Sequence, residues 1–212
     1  MPPAPPLTIL VMGAGSLGCV TGGFMANAGH HVHLIGRKTH MDAIHEKGLT
    51  IKGIWGDHHV TSLHTHTSVS DLPDIIYDFV ILAVKSYDTD AALTELEPRI
   101  SEETLICSYQ NGLGNSEKIA QHYGWDRCVE SRVIYGARIN QPAEVEVTVM
   151  ARKTALGIYK ETPSLEKINT VALAMDASGV PTEYAENIED ALWAKLAYNC
   201  SLNPLSALLD VP

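Results

Sequence analysis

The sequence predicts an α/β protein whose core is a doubly wound, mostly parallel sheet. Two observations lead to this prediction: short, continuous apolar runs recur along the chain, and segments of helical character lie between them. An uninterrupted apolar run is typical of a strand that is buried on both faces. Strands that alternate with helices form parallel sheets with helices packed on both sides.

The first predicted unit is a β-α-β unit that follows a proline-rich start at residues 1–6. An apolar run over residues 7–12 predicts a strand, residues 17–28 predict a helix that ends near Gly29, and residues 32–35 predict a second strand. Two further strands are predicted at residues 79–84 and 104–108. The helices predicted after them span residues 88–100 and 116–122.

Two stretches break this alternation. Residues 49–63, with a Gly-Asp turn, resemble a hairpin, and residues 133–159 resemble antiparallel strands with no helix between them. We expect both stretches to extend one edge of the sheet. A helix at residues 164–177 and a short strand at residues 180–183 follow.

The last predicted element is a long apolar helix over residues 187–209, interrupted by Pro204. We place a domain boundary near Ala185, with a Rossmann-type nucleotide-binding domain at residues 1–185 and the first helix of an all-α substrate domain at residues 186–212. About 25 residues cannot form an independent domain. We therefore expect the apolar side of this helix to be covered by a second copy of the protein, as in a homodimer, or by further chain, so that the helical domain is truncated here.

Composition narrows the class of protein. The chain has 212 residues, 45% hydrophobic and 19% charged, which is enough to bury a substantial core in one domain or little more. A net charge of −10 argues against a nucleic-acid partner. The sequence has no signal peptide, no stretch of membrane-spanning length and no C-x-x-C pair, so we expect a soluble, cytoplasmic protein with reduced cysteines and no membrane contact.

The strongest local motif is a G-x-G-x-x-G sequence between the first strand and the first helix: Gly13, Ala14, Gly15, Ser16, Leu17 and Gly18. The first glycine permits a tight turn, the second lets the backbone approach a pyrophosphate, and the third lets helix and strand pack closely. The amide groups of the helix start can then bind phosphates. An ordinary strand-to-helix turn is the alternative, but the complete β-α-β context favours a dinucleotide site.

Basic residues stand where many NAD sites have an acidic residue on the ribose. Arg37 and Lys38 follow the second strand, and a guanidinium can pair with a 2′-phosphate that a carboxylate would repel. The sequence therefore favours NADP(H) over NAD. Solvated loop charges are the alternative interpretation of the same pair.

Two more candidates follow later strands. Lys85 ends the run at residues 79–84, at the sheet edge where ligands of such folds bind, although many lysines at strand ends are merely solvated. Asn111 follows the next strand in Gln110-Asn111-Gly112, which by itself is a common turn sequence.

The C-terminal helix carries a polar stripe on an apolar background. Lys195, Asn199 and Asn203 are spaced i, i+4, i+8, so that they share one face within roughly 80° of arc. Unpaired amides among leucines and alanines are costly unless a polar ligand or solvent meets them. The stripe therefore indicates either a ligand cleft or the wet side of an amphipathic helix.

Four histidines lie together in the predicted hairpin region, His58, His59, His64 and His66, and are candidates for a metal site. No carboxylate or cysteine stands at ligand spacing, so we predict no metal. No Ser-His-Asp or Cys-His arrangement is evident either.

The motifs together resemble the ketopantoate reductase (2-dehydropantoate 2-reductase) family. The resemblance rests on Val11–Gly18, on Val84-Lys85-Ser86, on Gln110-Asn111-Gly112-Leu113-Gly114, and on the helix sequence from Ala194 to Leu205. It implies NADPH-dependent reduction of the keto group of ketopantoate to pantoate, in the route to pantothenate and coenzyme A.

The resemblance also implies roles for single residues. Lys195 would be the general acid that donates to the carbonyl oxygen. Asn199 and Asn203 would hold polar groups of the substrate, and Asn111 would lie beside the substrate and the nicotinamide ribose. Arg37 and Lys85 match positions that meet the adenosine phosphates.

Three hypotheses remain open at the level of sequence. The first is a ketopantoate reductase, and the second is a reductase of the same architecture for another small keto acid or an imine. The third is a non-catalytic NADP(H)-binding module, because members of the family continue into a full helical domain with further substrate-binding residues.

Overall fold

The computed structural model describes residues 5–160, 162 and 164–210. The strands are β1 (Thr8–Met12), β2 (His31–Ile35), β3 (Leu49–Gly53), β4 (His58–Val60), β5 (Leu63–His66), β6 (Phe79–Leu82), β7 (Leu105–Ser108), β8 (Cys128–Arg132), β9 (Tyr135–Gln141), β10 (Glu144–Met150), β11 (Thr154–Gly157) and β12 (Thr182–Tyr184). The helices are α1 (Ser16–Asn27), α2 (Lys38–Lys47), α3 (Thr89–Leu96), α4 (Asn115–Tyr123), α5 (Leu165–Ala177) and α6 (Ile188–Leu209).

The main sheet confirms the predicted fold class. It has eight strands in the order β12-β11-β8-β7-β6-β1-β2-β5. The strands from β5 to β8 are parallel, and the strand order reverses between β1 and β6. This is the Rossmann order, in which ligands bind outside the carboxyl ends of the strands at the point of reversal.

The strands of the parallel sheet are buried on both faces, as their apolar runs predict. Ile9 and Val11 of β1 point into one hydrophobic core with α1, whereas Leu10 and Met12 point into a second core on the opposite face. Leu93 of α3 and Ile119 of α4 belong to that second core. The alternation of side chains along a strand therefore gives one sheet two separate cores.

The antiparallel strands lie only partly where the sequence places them. β11 pairs antiparallel with β8 and extends one edge of the main sheet, as predicted, and β12 continues that edge. The expectation that residues 49–63 and 133–159 extend a single edge is otherwise wrong. β4, β3, β10 and β9 form a second, four-stranded sheet, in which β3 and β10 are parallel.

Helix α1 explains the second sheet. The helix sequence contains no charged residue, and every residue from Gly18 to Ala26 is buried. A helix that is apolar on all sides must be covered on all sides. The main sheet covers one side, and Leu49 and Ile51 of β3 with Val145 and Val147 of β10 cover the other.

Three further elements differ from the sequence-based expectation. β8 is a sixth parallel strand and α2 is an additional helix, and neither follows an apolar pattern long enough to predict it. α6 continues through Pro204 instead of being interrupted there. Proline removes one backbone hydrogen bond, to the carbonyl of Cys200, and this residue is exposed, so solvent can satisfy the carbonyl.

No helix in the described part of the chain combines the length and the apolar character that a membrane span requires.

Candidate active site

The turn between β1 and α1 has the tight geometry that the glycine motif predicts. Gly13 has a φ of 105°, and a Cβ atom there would lie 2.7 Å from the backbone of Ala83 and Val84 after β6. A Cβ atom on Gly18 would lie 2.7 Å from the carbonyl oxygen of Gly13. Both positions therefore need glycine for the fold itself, whatever binds at the turn.

Gly15 differs from these two glycines because the space that a side chain would occupy at this position is empty. A Cβ atom on Gly15 would meet nothing within 4 Å. Gly15 is the N-cap of α1, and within the described chain no side chain caps this helix start and no acidic residue lies in its first turn. The amides of Ser16 and Leu17 thus begin a helix whose positive end is free to meet an anion.

Arg37 and Lys85 flank the glycine turn on opposite sides. The amides of Gly13 and Ala14 both donate to the carbonyl oxygen of Ile35, which fixes the turn beside the segment that leads to Arg37. Ala83 donates to the carbonyl oxygen of Met12, which fixes the other side two residues before Lys85. Both cationic side chains are exposed, and neither forms an ion pair with any residue that the structure describes.

Lys38, in contrast, is engaged with its own helix. Its Nζ atom lies 2.9 Å from Asp42, one turn further along α2. Of the two basic residues after β2, Arg37 is therefore the one that forms no ion pair with a described residue.

Lys195 of α6 meets Asn111 of the loop after β7. The Nζ atom of Lys195 donates to Oδ1 of Asn111 at 2.9 Å, across 84 positions of sequence. Lys195 is half-buried, and burial together with the nearby charge of Arg132 lowers its pKa to about 8. The structure thus brings together two of the residues that the sequence singles out, and it places a lysine there that can release its proton near neutral pH.

A cleft of about 600 Å³ opens beside this pair, between the carboxyl edge of the main sheet and α6. Its lining includes Leu17 of the glycine motif, Asn111, Lys195 and Asn199. Asn203 lies one helical turn beyond Asn199, is exposed, and does not line the cleft. Two residues of the polar stripe on α6, Lys195 and Asn199, therefore line the cleft.

Sequence reasoning missed several residues of this cleft. Arg132 at the end of β8, Arg152 between β10 and β11, and Tyr198 of α6 also line it. Arg132 and Arg152 follow no motif, and only the pairing of β11 with β8 brings their segments together. Tyr198 precedes Asn199 and does not belong to the i, i+4, i+8 series of the polar stripe. The helical spacing alone therefore assigns it to the apolar face of α6.

Two of the four candidate histidines stack on a third histidine, and the other two lie in a different sheet. His64 and His66 share a face of β5, as predicted. Their ring centroids lie 4.7 and 5.2 Å from the ring centroid of His33 on β2. His58 and His59 lie on β4 in the other sheet. In the described residues, no three His, Cys, Asp or Glu side chains converge so that they could hold a metal ion.

Comparison with known proteins decides the family. The family model described as "Ketopantoate reductase PanE/ApbA" matches residues 9–161. The chain belongs to the ketopantoate reductase family.

Individual members of the ketopantoate reductase family are similar to this chain along nearly its whole length. The 2-dehydropantoate 2-reductases of Pyrococcus horikoshii and Aquifex aeolicus are 36% and 34% identical to it, each over 97% of this chain. The crystal structure of 2-dehydropantoate 2-reductase from Geobacter metallireducens superposes with a TM-score of 0.86 at 28% identity, over 96% of this chain and 66% of that one. The chain spans 64% and 65% of the lengths of the Aquifex and Pyrococcus relatives.

The different roles of the glycines predict different effects of a single methyl group. We expect Gly18→Ala to lower the free energy of unfolding by about 1–3 kcal/mol, because the added Cβ overlaps a backbone oxygen and forces the turn to move. Gly15→Ala adds its methyl group to open space, and we expect a change below about 1 kcal/mol. Urea unfolding of both variants measures the difference, and equal destabilisation would contradict the assigned geometry.

Proposed function

We propose that this protein catalyses the NADPH-dependent reduction of 2-dehydropantoate to pantoate. The observation that carries the proposal is the contact between Lys195 and Asn111 at the mouth of the cleft. It joins a proton donor on α6 to the loop after β7 at the carboxyl edge of the sheet, the edge at which folds of this kind bind a dinucleotide. Membership of the ketopantoate reductase family supports the choice of substrate.

Lys195 is the proposed general acid. NADPH, when bound, would supply the hydride for the keto carbon, and the charge that develops on the carbonyl oxygen would need a proton or a strong hydrogen bond from the protein. With a pKa of about 8, Lys195 is mostly protonated at neutral pH, yet it releases its proton more readily than an ordinary lysine. Asn111 holds the Nζ atom in place through its side-chain oxygen.

Asn199 and Asn203 are the proposed contacts for the remaining polar groups of the substrate. The position of Asn199 supports this role, because Asn199 lines the same cleft as Lys195. Asn203 lies on the same face of α6, one turn further along. Its exposed amide is available to a substrate that extends beyond the cleft.

The loss of reduced-nicotinamide absorbance on addition of ketopantoate and NADPH tests the reaction directly. We expect turnover by the wild type, and a fall in kcat of about 10²- to 10⁴-fold in Lys195→Ala because the proton donor is removed. Lys47→Ala is the matched control, since Lys47 is an exposed lysine at the end of α2 outside the cleft. Tight NADPH binding without turnover by the wild type would contradict the proposed reaction.

The pH profile tests the role of Lys195 further. A general acid works in its protonated form, so we expect kcat to fall as the pH rises through about 8. In Lys195→Arg this basic limb should vanish together with most of the activity, because a guanidinium keeps its proton throughout. A wild-type profile that is flat from pH 7 to pH 9 would exclude Lys195 as the acid.

NADP(H) is the proposed cofactor, held by the glycine motif from Gly13 to Gly18 and by two cations. The free amides of α1 and the open side of Gly15 suit a pyrophosphate. Arg37 is exposed beside the turn and can pair with a 2′-phosphate, and Lys85 adds positive charge on the other side.

Arg37 is therefore expected to decide between the two nicotinamide cofactors. Arg37→Ala should weaken NADPH binding by about 10- to 100-fold and leave NADH binding nearly unchanged, because only NADPH carries the 2′-phosphate. Lys38→Ala is the neighbouring comparison and should have a smaller effect, since Lys38 pairs with Asp42. Equal losses for both cofactors, measured by fluorescence titration, would rule out this assignment.

Residues 186–212 are proposed to begin a helical unit that is separate from the domain of residues 1–185. Of these ranges, the structure does not describe residues 1–4, 161, 163, 211 and 212. Within α6 only Ile188 and Leu192 are buried, both in the first two turns. Further along, Leu205 and Leu208 are 54% and 82% exposed. A continuous exposed apolar surface of this kind marks a contact with further protein.

A homodimer through this surface is the proposed assembly. We expect sedimentation to give the mass of a dimer for the wild type, and the mass of a monomer for the double variant Leu205→Glu/Leu208→Glu, because buried unpaired carboxylates are costly. A monomeric wild type would contradict the proposed dimer.

The cytoplasm is the proposed location. All four cysteines are free thiols, and burial raises the pKa values of Cys19 and Cys128 to about 12. Unpaired thiols of this kind suit a reducing compartment.

A further inference from the structure

The cleft has the opposite charge to the molecule as a whole. The chain carries 25 acidic and 15 basic residues, with a net charge of −10. Three cationic side chains, those of Arg132, Arg152 and Lys195, nevertheless line the cleft, and no acidic side chain of the described residues does. A cationic cleft in an acidic protein selects an anionic ligand.

Arg132 is the most buried of these three cations. It is 8% exposed, and its Nη2 atom donates to the carbonyl oxygen of Lys153 at 2.8 Å. Its Nε atom is buried and has no acceptor among the described residues. A guanidinium has five donors in a fixed plane, so most of this donor capacity remains unused.

Arg132 is only partly neutralised by the residues that the structure describes. Glu183 of β12 is the nearest carboxylate and lies 3.9 Å away, with its side chain turned mostly to solvent. Burial lowers the pKa of Arg132, the charge of Glu183 partly offsets this effect, and the charge of the nearby Arg152 lowers the pKa further. Since the net effect on Arg132 still disfavours its charge, an anionic ligand in the cleft can supply the compensation that the solvent-facing Glu183 leaves incomplete.

Arg132 and Lys195 are also neighbours across the cleft. Both line it, and the charge of Arg132 contributes to the lowered pKa of Lys195. In a 2-oxo acid the carboxylate and the keto oxygen are carried by adjacent carbon atoms. A ligand whose keto oxygen meets Lys195 therefore brings its carboxylate to within reach of the neighbouring cation.

We infer that Arg132 and Arg152 form the part of the cleft that binds the carboxylate of the 2-oxo acid substrate. This inference rests on the proposed reductase function and on the position of Lys195. Arg132 binds the carboxylate from the buried side through its planar donors, and Arg152 approaches it from the exposed rim. The remaining lining, including Val133, Ala151 and Ala191, is apolar and accommodates an aliphatic chain.

Two probes that share a carbon skeleton, a carboxylate and its neutral methyl ester, test this inference. 3-Methyl-2-oxobutanoate and its methyl ester are titrated by calorimetry into the protein saturated with NADP⁺, which cannot reduce them. We expect Arg152→Gln to weaken binding of the acid by about 10-fold and Arg132→Lys by about 10- to 100-fold, because each removes a charge-assisted hydrogen bond. Binding of the ester should change less than about twofold.

Arg138→Gln is the matched control, since Arg138 pairs with Glu146 on the exposed second sheet and its loss changes the net charge equally. The exposed Arg152 keeps the test valid if the buried Arg132→Lys variant does not fold. Equal losses for acid and ester, or a weakened affinity for NADPH in Arg152→Gln, would overturn the inference by showing a structural or a cofactor-binding role.

The outcomes also separate this inference from the proposed reaction. If the wild type turns over ketopantoate and both arginine variants keep its KM, the reductase stands and the carboxylate site is wrong. If the wild type does not reduce ketopantoate but binds the acid in an arginine-dependent way, the carboxylate site stands and the proposed reaction is wrong.

Discussion

The close packing of α1 between two sheets is the constraint on which the rest of the structure depends. Gly22 faces Val11, Val32 and Leu34 of the main sheet, and a Cβ atom there would lie 2.8 Å from Leu34. Gly23 faces the second sheet, where a Cβ atom would lie 2.7 Å from Ile51. Two successive glycines thus let one helix approach sheets on two sides at once.

This packing also fixes the start of α1. Gly18 rests against the carbonyl oxygen of Gly13, and Gly13 rests against the backbone after β6. The first amides of the helix are therefore held at the carboxyl edge of the sheet, between the segments that carry Arg37 and Lys85. The proposed phosphate site follows from the way in which the helix packs, without any additional device.

The cleft depends on a second, weaker attachment. α6 is held to the main sheet by Ile188 and Leu192, which pack against Ala155 of β11. This contact brings Lys195 to Asn111 and places it near Arg132. The lowered pKa of Lys195 is thus a product of tertiary structure. Half-burial disfavours the charged form of Lys195, and the cation Arg132 on strand β8 disfavours it further.

The sequence by itself determined the elements whose chemistry is local. Apolar runs and glycines fixed the β-α-β unit, the parallel sheet and the turn from Gly13 to Gly18, because a doubly buried strand and a tight turn each leave a pattern in neighbouring residues. Helical spacing likewise put Lys195 and Asn199 on one face of α6. The second sheet and the arginines of the cleft were decided only by the tertiary structure. β3 pairs with β10 across about ninety residues, and Arg132 and Arg152 meet the cleft through β8 and β11, so no local pattern records either arrangement.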